Sequence, residues 1–350
     1  MNKKAVLLVN LGSPDSPSIP DVRRYLHEFL MDGRVIDVPW PIRFALVHGM
    51  IVPKRARASA EAYRSIWGRE GSPLIVVNRR VQQMLQACAG IPVELAMRYQ
   101  NPSIEAAVRR LAQQGTKELF LIPLFPHYAM SSYETAVERV RRAVAVFAPF
   151  MRLAVEPPFY DAPDYVAALV ESAAASLREP YDHLLFSFHG LPERHLRNAD
   201  KSGSHCLKAK NCCETPHPVH TQCYRVQCFK TARAFASKAG IADEQYSLAF
   251  QSRLGKEPWM RPYTDEELVR LAKAGVKRLL VICPGFVTDC LETIEEIGMR
   301  AREIFREAGG ETFALIPCLN DHPAWIGFLQ SRVDKFLRTS GPPLPVTNHA

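Results

Sequence analysis

The feature of this sequence that most limits its fold is the alternation of short apolar runs with segments of helical periodicity. The runs have the length of β-strands and lie at residues 5–10, 93–98, 118–124, 152–156, 183–188, 246–251, 278–283 and 312–317. Helical periodicity fills most of the intervals, for example at residues 104–114, 132–147, 265–274 and 289–308. Such alternation is typical of βα units and parallel sheets. We therefore predict an α/β protein.

The two halves of the chain repeat one pattern. Residues 108–123 and 268–282 each have the pattern of a helix, a glycine and a buried strand, and a Glu-Thr pair follows each of them. A chain of 350 residues is long enough for two domains. We predict two doubly wound Rossmann-like domains, 1–157 and 158–320, with a helix at 322–338 packed back on the first. Their parallel sheets would face a central cleft, with ligands beyond the carboxyl ends of the strands. Convergent βα composition is the alternative explanation of the similarity.

Charge and cysteine usage limit the partners. A net charge of +8 suggests nucleic acid, anionic lipid or an acidic small molecule. No Lys/Arg block is interleaved with aromatics, so we exclude nucleic acid.

The apolar run at 5–9 is broken by Asn10 and indicates a strand rather than a signal peptide. With no such signal, nine cysteines indicate a reducing compartment, and we predict a cytoplasmic protein. The Pro-rich tail at 341–345 is predicted to be disordered.

His189 directly follows a predicted buried strand and precedes Gly190. This position places the imidazole at the mouth of the cleft rather than in a core. Imidazole titrates near neutral pH, so it can accept a proton or bind a metal. A histidine packed in the core is the alternative.

Two acidic residues begin the predicted helix at 289–308. Glu292 and Glu296 are spaced i and i+4 away from the apolar face, and Arg300 continues their row. Because the helix begins at the carboxyl end of a strand, its first turn should face the cleft. Two neighbouring carboxylates suit a cation path or a proton relay. A solvated face, with Glu292 closing a capping box on Asp289, is the alternative.

A Pro-Trp loop follows the strand at 246–251. Trp259 in this loop can offer a flat aromatic wall to a planar ligand. A tryptophan in the core is an equally good interpretation.

Several motifs share their order and spacing with one family. They are 9–14 (VNLGSP), 63–66 (YRSI), 71–74 (GSPL), 97–99 (MRY), 187–192 (SFHGLP) and 289–293 (DCLET). Over nearly its whole length the chain resembles the ferrochelatases. The resemblance implies a lyase that inserts Fe²⁺ into protoporphyrin IX or coproporphyrin III, giving haem with release of two protons. It also implies a porphyrin held in the cleft between two Rossmann-like domains.

The resemblance also assigns the site residues. His189 matches the family's catalytic histidine and Glu292 its active-site glutamate. We expect His189 to take pyrrole protons, Glu292 to act as iron ligand or proton acceptor, and Glu296 to extend the route. In the alternative, iron arrives on His189 and Glu292 while protons leave along the acidic row. Two positions depart from the family: Cys290 stands where a histidine is common, and Arg300 where an acidic residue is common. Candidate wall and propionate contacts are Tyr63, Arg64, Tyr128 and Trp259.

A cysteine-rich segment follows the catalytic histidine. The four thiolates that a [2Fe–2S] cluster needs are available from Cys206, Cys212, Cys213 and Cys223. Some bacterial ferrochelatases carry such a cluster on an internal cysteine-rich insert, which this segment resembles. Cys228, in the helix predicted at 223–237, is the alternative fourth ligand. A Cys₄ zinc site and free thiols also remain open. The other cysteines are interpreted as small buried hydrophobic residues, with Cys290 as one that could also reach the cleft: Cys88, Cys283, Cys290 and Cys318.

An apolar stretch at 38–53 is followed by Lys54 and Arg55. It is shorter than the about 20 residues that cross a bilayer and is broken by prolines. We predict a lip over the cleft that makes peripheral contact with anionic headgroups on the inner face of the membrane, with a core helix as the alternative. No obligate protein partner can be inferred. The alternative functions are a tetrapyrrole chelatase for Co²⁺ or Ni²⁺ and a non-catalytic porphyrin- or haem-binding iron–sulfur sensor.

Overall fold

The computed structural model describes residues 3–255 and 257–338, so the predicted tail at 341–345 lies outside the described residues. Two four-stranded sheets are present, and all their strand pairs are parallel. The first sheet has the order β2-β1-β3-β4, formed by β1 (Lys4–Gly12), β2 (Val93–Tyr99), β3 (Glu118–Pro123) and β4 (Arg152–Val155). The second has the order β6-β5-β7-β8, formed by β5 (His183–His189), β6 (Tyr246–Gln251), β7 (Arg278–Ile282) and β8 (Thr312–Leu315). The predicted α/β class is confirmed.

Helices cover both faces of each sheet. Those of the first half are α1 (Ile19–Leu30), α2 (Trp40–Leu46), α3 (Val52–Ile66), α4 (Pro73–Ala89), α5 (Ile104–Gln113) and α6 (Thr135–Phe147). Those of the second half are α7 (Pro163–Arg178), α8 (Glu193–Ala199), α9 (Tyr224–Ala239), α10 (Thr264–Lys273), α11 (Arg302–Glu307) and α12 (Pro323–Arg338). Because the central strands are covered on both faces, residues 5–9 are fully buried, which explains a continuous apolar run rather than an alternating one.

The helix predicted at 289–308 differs from the expectation. Residues Glu292–Ala301 form a π-helix, and only Arg302–Glu307 is α-helical. The described residues contain two further π-helical segments: Val47–Ile51 between α2 and α3, and Met130–Glu134 directly before α6. A π-helix, with its i→i+5 hydrogen bonds, is built from the same residue types as an α-helix. The apolar periodicity of the sequence therefore could not distinguish the two. π-Helical turns are rare and occur frequently at functional sites.

Helix α12 joins the two halves of the chain. Its Phe336 ring stacks on Phe120 of β3 with centroids 4.9 Å apart, and Lys4 Nζ donates to the Phe336 carbonyl at 3.1 Å. At the other side, Arg332 pairs with Glu156 at 3.1 Å and with Asp164 of α7 at 2.7 Å. The predicted domain boundary at 157/158 falls between β4 and α7. The division into domains itself stays a prediction.

Candidate active site

His189 is the last residue of β5 and is half-buried. Its Nδ1 lies 2.6 Å from the carbonyl oxygen of Gly190. Since a carbonyl oxygen only accepts, Nδ1 carries the proton of the neutral ring, and Nε2 keeps its lone pair. A Cβ at position 190 would lie 2.9 Å from the Gln251 carbonyl oxygen, so the turn after His189 requires glycine.

Gln251, opposite His189 in the register, connects this strand end to the π-helix. Its amide oxygen accepts from Ser187 Oγ at 2.7 Å, and its amide nitrogen donates to the Glu292 carbonyl at 3.3 Å. Gln251 is buried, and these bonds satisfy both ends of its amide. The start of the π-helix is therefore fixed beside His189.

Glu296 is held by the residue after β6. Its carboxylate oxygens accept from Ser252 N at 2.9 Å and from Ser252 Oγ at 2.5 Å. Ser252 adopts a φ of +68°, a left-handed conformation that points these donors at one acid. Burial raises the pKa of Glu296, and the negative charge of Glu292 adds to this rise. The hydrogen bonds from Ser252 and the positive charge of a protonated His189 oppose it. The structure thus brings His189, Glu292 and Glu296 together, as the sequence predicts.

Two tyrosines of the first half face Glu292. Tyr25 of α1 and Tyr63 of α3 are buried, with ring centroids 6.2 Å apart in an edge-to-face arrangement. Burial raises the pKa of both hydroxyls, and the Glu292 charge adds to the rise in each. Burial raises the pKa of the Cys290 thiol, and the neighbouring Glu292 carboxylate adds to the rise. Tyr63 was a sequence candidate, whereas Tyr25 was missed because its helical spacing is that of a core residue.

The remaining candidates occupy different places. Arg64 is exposed on α3, since adjacent residues of a helix point in different directions. Trp259 is only 8% exposed, donates its indole N–H to the Leu254 carbonyl at 2.8 Å and packs against Gly190. It supports the turn after His189 from behind. Tyr128 is half-buried beyond β3, with its hydroxyl bonded to Glu134, which pairs with Arg34 at 2.8 Å.

Comparison with known proteins identifies the family. The ferrochelatase family model matches residues 3–337. A ferrochelatase of Opitutus terrae is 55% identical over 343 residues, covering 97% of this chain and 99% of that protein. One of Azotobacter vinelandii is 55% identical over 331 residues, covering 94% and 98%. The chain belongs to the ferrochelatase family. The predicted enzyme class and the predicted reaction, insertion of Fe²⁺ into a porphyrin in haem synthesis, are thereby confirmed.

Solved structures agree with a chelatase-like fold. SirB from Bacillus subtilis with Fe³⁺ has a TM-score of 0.53 at 14% identity, and the match covers 95% of both chains. The sirohydrochlorin chelatase SirB from Bacillus subtilis subspecies spizizenii, in complex with cobalt, has a TM-score of 0.51 at 13% identity, covering 95% and 94%. At these identities the likeness shows the fold alone. The prediction of paired Rossmann-like, chelatase-type sheets is confirmed.

In this ferrochelatase-family chain the cysteine-rich segment is organised by Asp200. Its carboxylate accepts from the backbone nitrogens of His205 at 2.9 Å and Cys206 at 2.8 Å, and from Ser202 Oγ at 2.6 Å. These bonds lower the pKa of Asp200, with the Ser202 hydroxyl as the largest cause. Asp200 therefore fixes the backbone at the start of the cysteine-rich segment.

The candidate ligand thiols lie near one another in this loop. Burial raises the pKa of Cys206 and of Cys213, the latter to about 12, and neighbouring thiols add to both shifts. Cys223 interacts with Cys206, and Cys212 with Cys213. The donor set thus suits a thiolate-bound group. Across residues 3–255 and 257–338, however, no three His, Cys, Asp or Glu side chains are arranged to hold a metal ion.

Proposed function

We propose that His189 removes the pyrrole protons as Fe²⁺ enters the porphyrin, with Glu292 as iron ligand or proton acceptor and Glu296 as the next group on the route. The carrying observation is that the β5 terminus, the π-helix and Ser252 place one imidazole and two carboxyl groups together. The imidazole keeps a free lone pair at Nε2, which a base requires. The bonds from Ser252 hold Glu296 as a partly buried acid beside Glu292.

The porphyrin has to be bent so that its inner nitrogens become accessible to metal and base. Such strain is on the order of 1–5 kcal/mol and is supplied by contacts remote from the metal. We propose Tyr63 and Tyr128 as wall contacts. Arg64 remains a candidate for a propionate because its guanidinium is exposed, and Trp259 contributes as the support of the His189 turn.

Anaerobic insertion of Fe²⁺ into protoporphyrin and coproporphyrin tests these roles. His189→Ala and Glu292→Ala should each lower kcat by about 10²–10⁴-fold, the usual contribution of a positioned acid or base. Glu295→Gln is the matched control, since Glu295 lies on the same π-helix but pairs with Arg300 at 2.8 Å. Its rate should stay within about twofold of wild type. Full activity of His189→Ala would refute the proposed base.

The pH dependence provides a second test. A proton on Nε2 would occupy the lone pair that the proposed base needs, so kcat should fall toward acidic pH. The fall should be absent from the residual activity of His189→Ala. A wild-type kcat that does not fall toward acidic pH would contradict the assignment.

We propose that the lip formed by α2 and the π-helical segment Val47–Ile51 rests on an anionic membrane surface. One face of the lip packs inward through Val47, but Trp40 is 59%, Ile42 53% and Met50 50% exposed. Exposed Lys54 and Arg55 follow. A core helix would hide these side chains, so that alternative is wrong. Within the described residues no helix is long and apolar enough to span a bilayer. We propose a cytoplasmic location at the inner face of the membrane.

Vesicle co-sedimentation measures this contact. Trp40→Ser combined with Phe44→Ser should weaken binding to vesicles containing phosphatidylglycerol at least about tenfold, because two exposed aromatic rings are lost. Phe150→Ser is the control, as Phe150 is 87% exposed at a distant turn. Equal binding by all three proteins would contradict the proposal.

We also propose that Cys206, Cys212, Cys213 and Cys223 hold a [2Fe–2S] cluster. When bound, the cluster would supply a redox-active, thiolate-ligated iron centre in the loop. Cys228 is the weaker candidate for the fourth ligand, because it is fully buried on α9 beside Tyr224.

Protein purified anaerobically should contain iron and acid-labile sulfide and absorb in the visible range. Cys206→Ser should abolish this absorption, whereas Cys228→Ser should keep it. Cys88→Ser is the control. Cys88 lies on the outer face of α4 and is exposed, so the prediction that it is buried is wrong. Zinc without sulfide would instead indicate a Cys₄ zinc site, and neither metal would leave free thiols.

A further inference from the structure

Helix α9 is wedged between the cysteine-rich segment and the loop that carries Tyr128. Gln227 on this helix is a fully buried polar residue. Its amide oxygen accepts from the backbone nitrogen of Tyr128 at 2.7 Å. Its amide nitrogen donates to the carbonyls of Thr221 at 3.0 Å and His220 at 3.3 Å. One side chain therefore joins two backbone segments about a hundred positions apart and from different halves of the chain.

The bonds continue beyond Gln227 on both sides. Toward the cysteine-rich segment, the His220 ring contacts the Cys212 carbonyl oxygen at 2.9 Å through Nε2. Toward the active site, the hydroxyl of Tyr128 bonds to Glu134, which pairs with Arg34. Gln227 is the connection between these two sets of contacts. A buried amide in this position is costly unless every bond is made, so its presence specifies one arrangement.

A second contact from the same helix fixes the neighbouring residue. Thr231 Oγ donates to the Tyr160 carbonyl at 2.8 Å and lies 2.8 Å from His127 Nε2. Since the hydroxyl has one proton, His127 donates through Nε2. Burial lowers the pKa of His127 to about 3, so its ring is neutral. His127 also packs edge-to-face on Phe188, with centroids 5.4 Å apart, directly before His189. The loop is thus held by α9 at two adjacent residues.

We propose that Gln227 is a positioning residue for porphyrin binding: it fixes the backbone of Tyr128 to the turn that precedes Cys223. The inference rests on the proposed porphyrin contact of Tyr128. Without the Gln227 amide oxygen, the Tyr128 N–H needs another acceptor, and the loop has to move to find one. The geometry of Tyr128 toward the porphyrin changes, whereas the groups at His189 and Glu292 stay in place. The effect therefore falls on KM for porphyrin rather than on kcat.

The test compares Gln227→Met with Gln227→Glu. Methionine keeps the length of the side chain and removes both hydrogen-bonding functions. It should raise the porphyrin KM about tenfold, as expected for loss of the buried bond to the Tyr128 N–H, with kcat within about twofold. Glutamate keeps the acceptor for the Tyr128 N–H but loses the N–H donors to the Thr221 and His220 carbonyls, so it should raise the porphyrin KM less than methionine does. Gln82→Met is the matched control, because Gln82 bonds the Val93 carbonyl at 2.7 Å, at the opposite end of the sheet. Thermal melting verifies that each variant is folded.

A double variant tests separately whether Tyr128 contacts the porphyrin and whether Gln227 acts through Tyr128. If Gln227 acts through Tyr128, Tyr128→Ala combined with Gln227→Met has the same KM as Tyr128→Ala alone. The inference is overturned if the KM increases of the two single variants multiply in the double variant. It is also overturned if Gln227→Met has the KM of wild type. An unchanged KM in Tyr128→Ala instead shows that the proposed substrate contact is wrong. A loss confined to kcat indicates a merely structural role and also overturns it.

Discussion

Glu296 shows at the scale of one residue how burying an acid costs stability. Its carboxyl group is partly buried next to a second acid, Glu292, and burial raises its pKa. Two bonds from Ser252, itself in a left-handed conformation, hold it there. Ionising an acid whose pKa is raised by burial costs folding free energy. Such an acid does not stabilise the fold, and groups of this kind are typical of functional sites.

Glu296→Gln should therefore increase the free energy of unfolding at neutral pH while lowering activity. The sign follows from the raised pKa: below the ordinary carboxyl pKa the acid is neutral in both states and costs nothing. As the pH rises through the raised value, the folded wild type loses stability relative to the glutamine variant. Urea unfolding at pH 4.5, 6 and 8 measures the difference, which should grow with pH. A constant or shrinking difference would contradict burial as the dominant influence on this carboxyl group.

At the scale of elements, α8 connects the active-site strand to the lip. Arg194 Nε donates to Asp37 Oδ1 at 2.5 Å, and Asn198 Nδ2 donates to Asp37 Oδ2 at 2.9 Å. The buried His195 places Nε2 3.4 Å from the same carboxylate. Asp37 precedes α2, so this contact ties the lip to the helix that follows His189. It is a partly buried, multiply bonded ion pair, unlike the many exposed pairs of the surface.

Asp37→Asn should lower the free energy of unfolding by about 1–3 kcal/mol, because Arg194 keeps only Glu257 as a charged partner and the bond from Asn198 goes to a neutral amide instead of a carboxylate. Urea denaturation measures the change. Glu193→Gln on the same helix removes only the exposed Arg197 pair and should change stability by less than about 0.5 kcal/mol. Equal effects of the two substitutions would show that the Asp37 contact is an ordinary surface pair.

At the scale of the whole molecule, one hydrophobic cluster extends through both sheets. It contains residues of β1 and β3 as well as β5 and β7, and α12 lies within it. Trp325 of α12 is fully buried against Phe159, Tyr165 and Phe328, with ring centroids 5.2–6.2 Å away. A shared core of this kind makes the folding of each half depend on the other.

Trp325→Ala should cost about 3–5 kcal/mol through the cavity it leaves. Calorimetry should still show one unfolding transition, at a lower temperature. Trp325→Phe is the control: it keeps a ring and removes an indole N–H that is buried without a partner, so it should cost much less. Two separate transitions in Trp325→Ala would mean that the halves fold independently.

The local sequence pattern was sufficient to predict those features that depend on residues close together in the chain. The strands follow from apolar runs that must be covered on both faces, and His189 reaches the sheet edge because it ends such a run. The two glutamates follow from the helix that begins after β7. The same reasoning failed for Tyr25, whose spacing in α1 is that of a core residue, and for the π-helix, whose composition is that of an α-helix.

The sequence by itself thus determined the fold class, the family and the histidine and glutamates at the sheet edge. Only the tertiary structure decided that Tyr25 lies beside Glu292, that Trp259 packs behind the His189 turn, and that Gln227 joins the cysteine-rich segment to Tyr128. The physical reason is that strand and helix patterns depend on neighbours within a few residues. Contacts between residues far apart in the chain depend instead on how the two sheets and α12 pack around one core, and no short-range pattern encodes that packing.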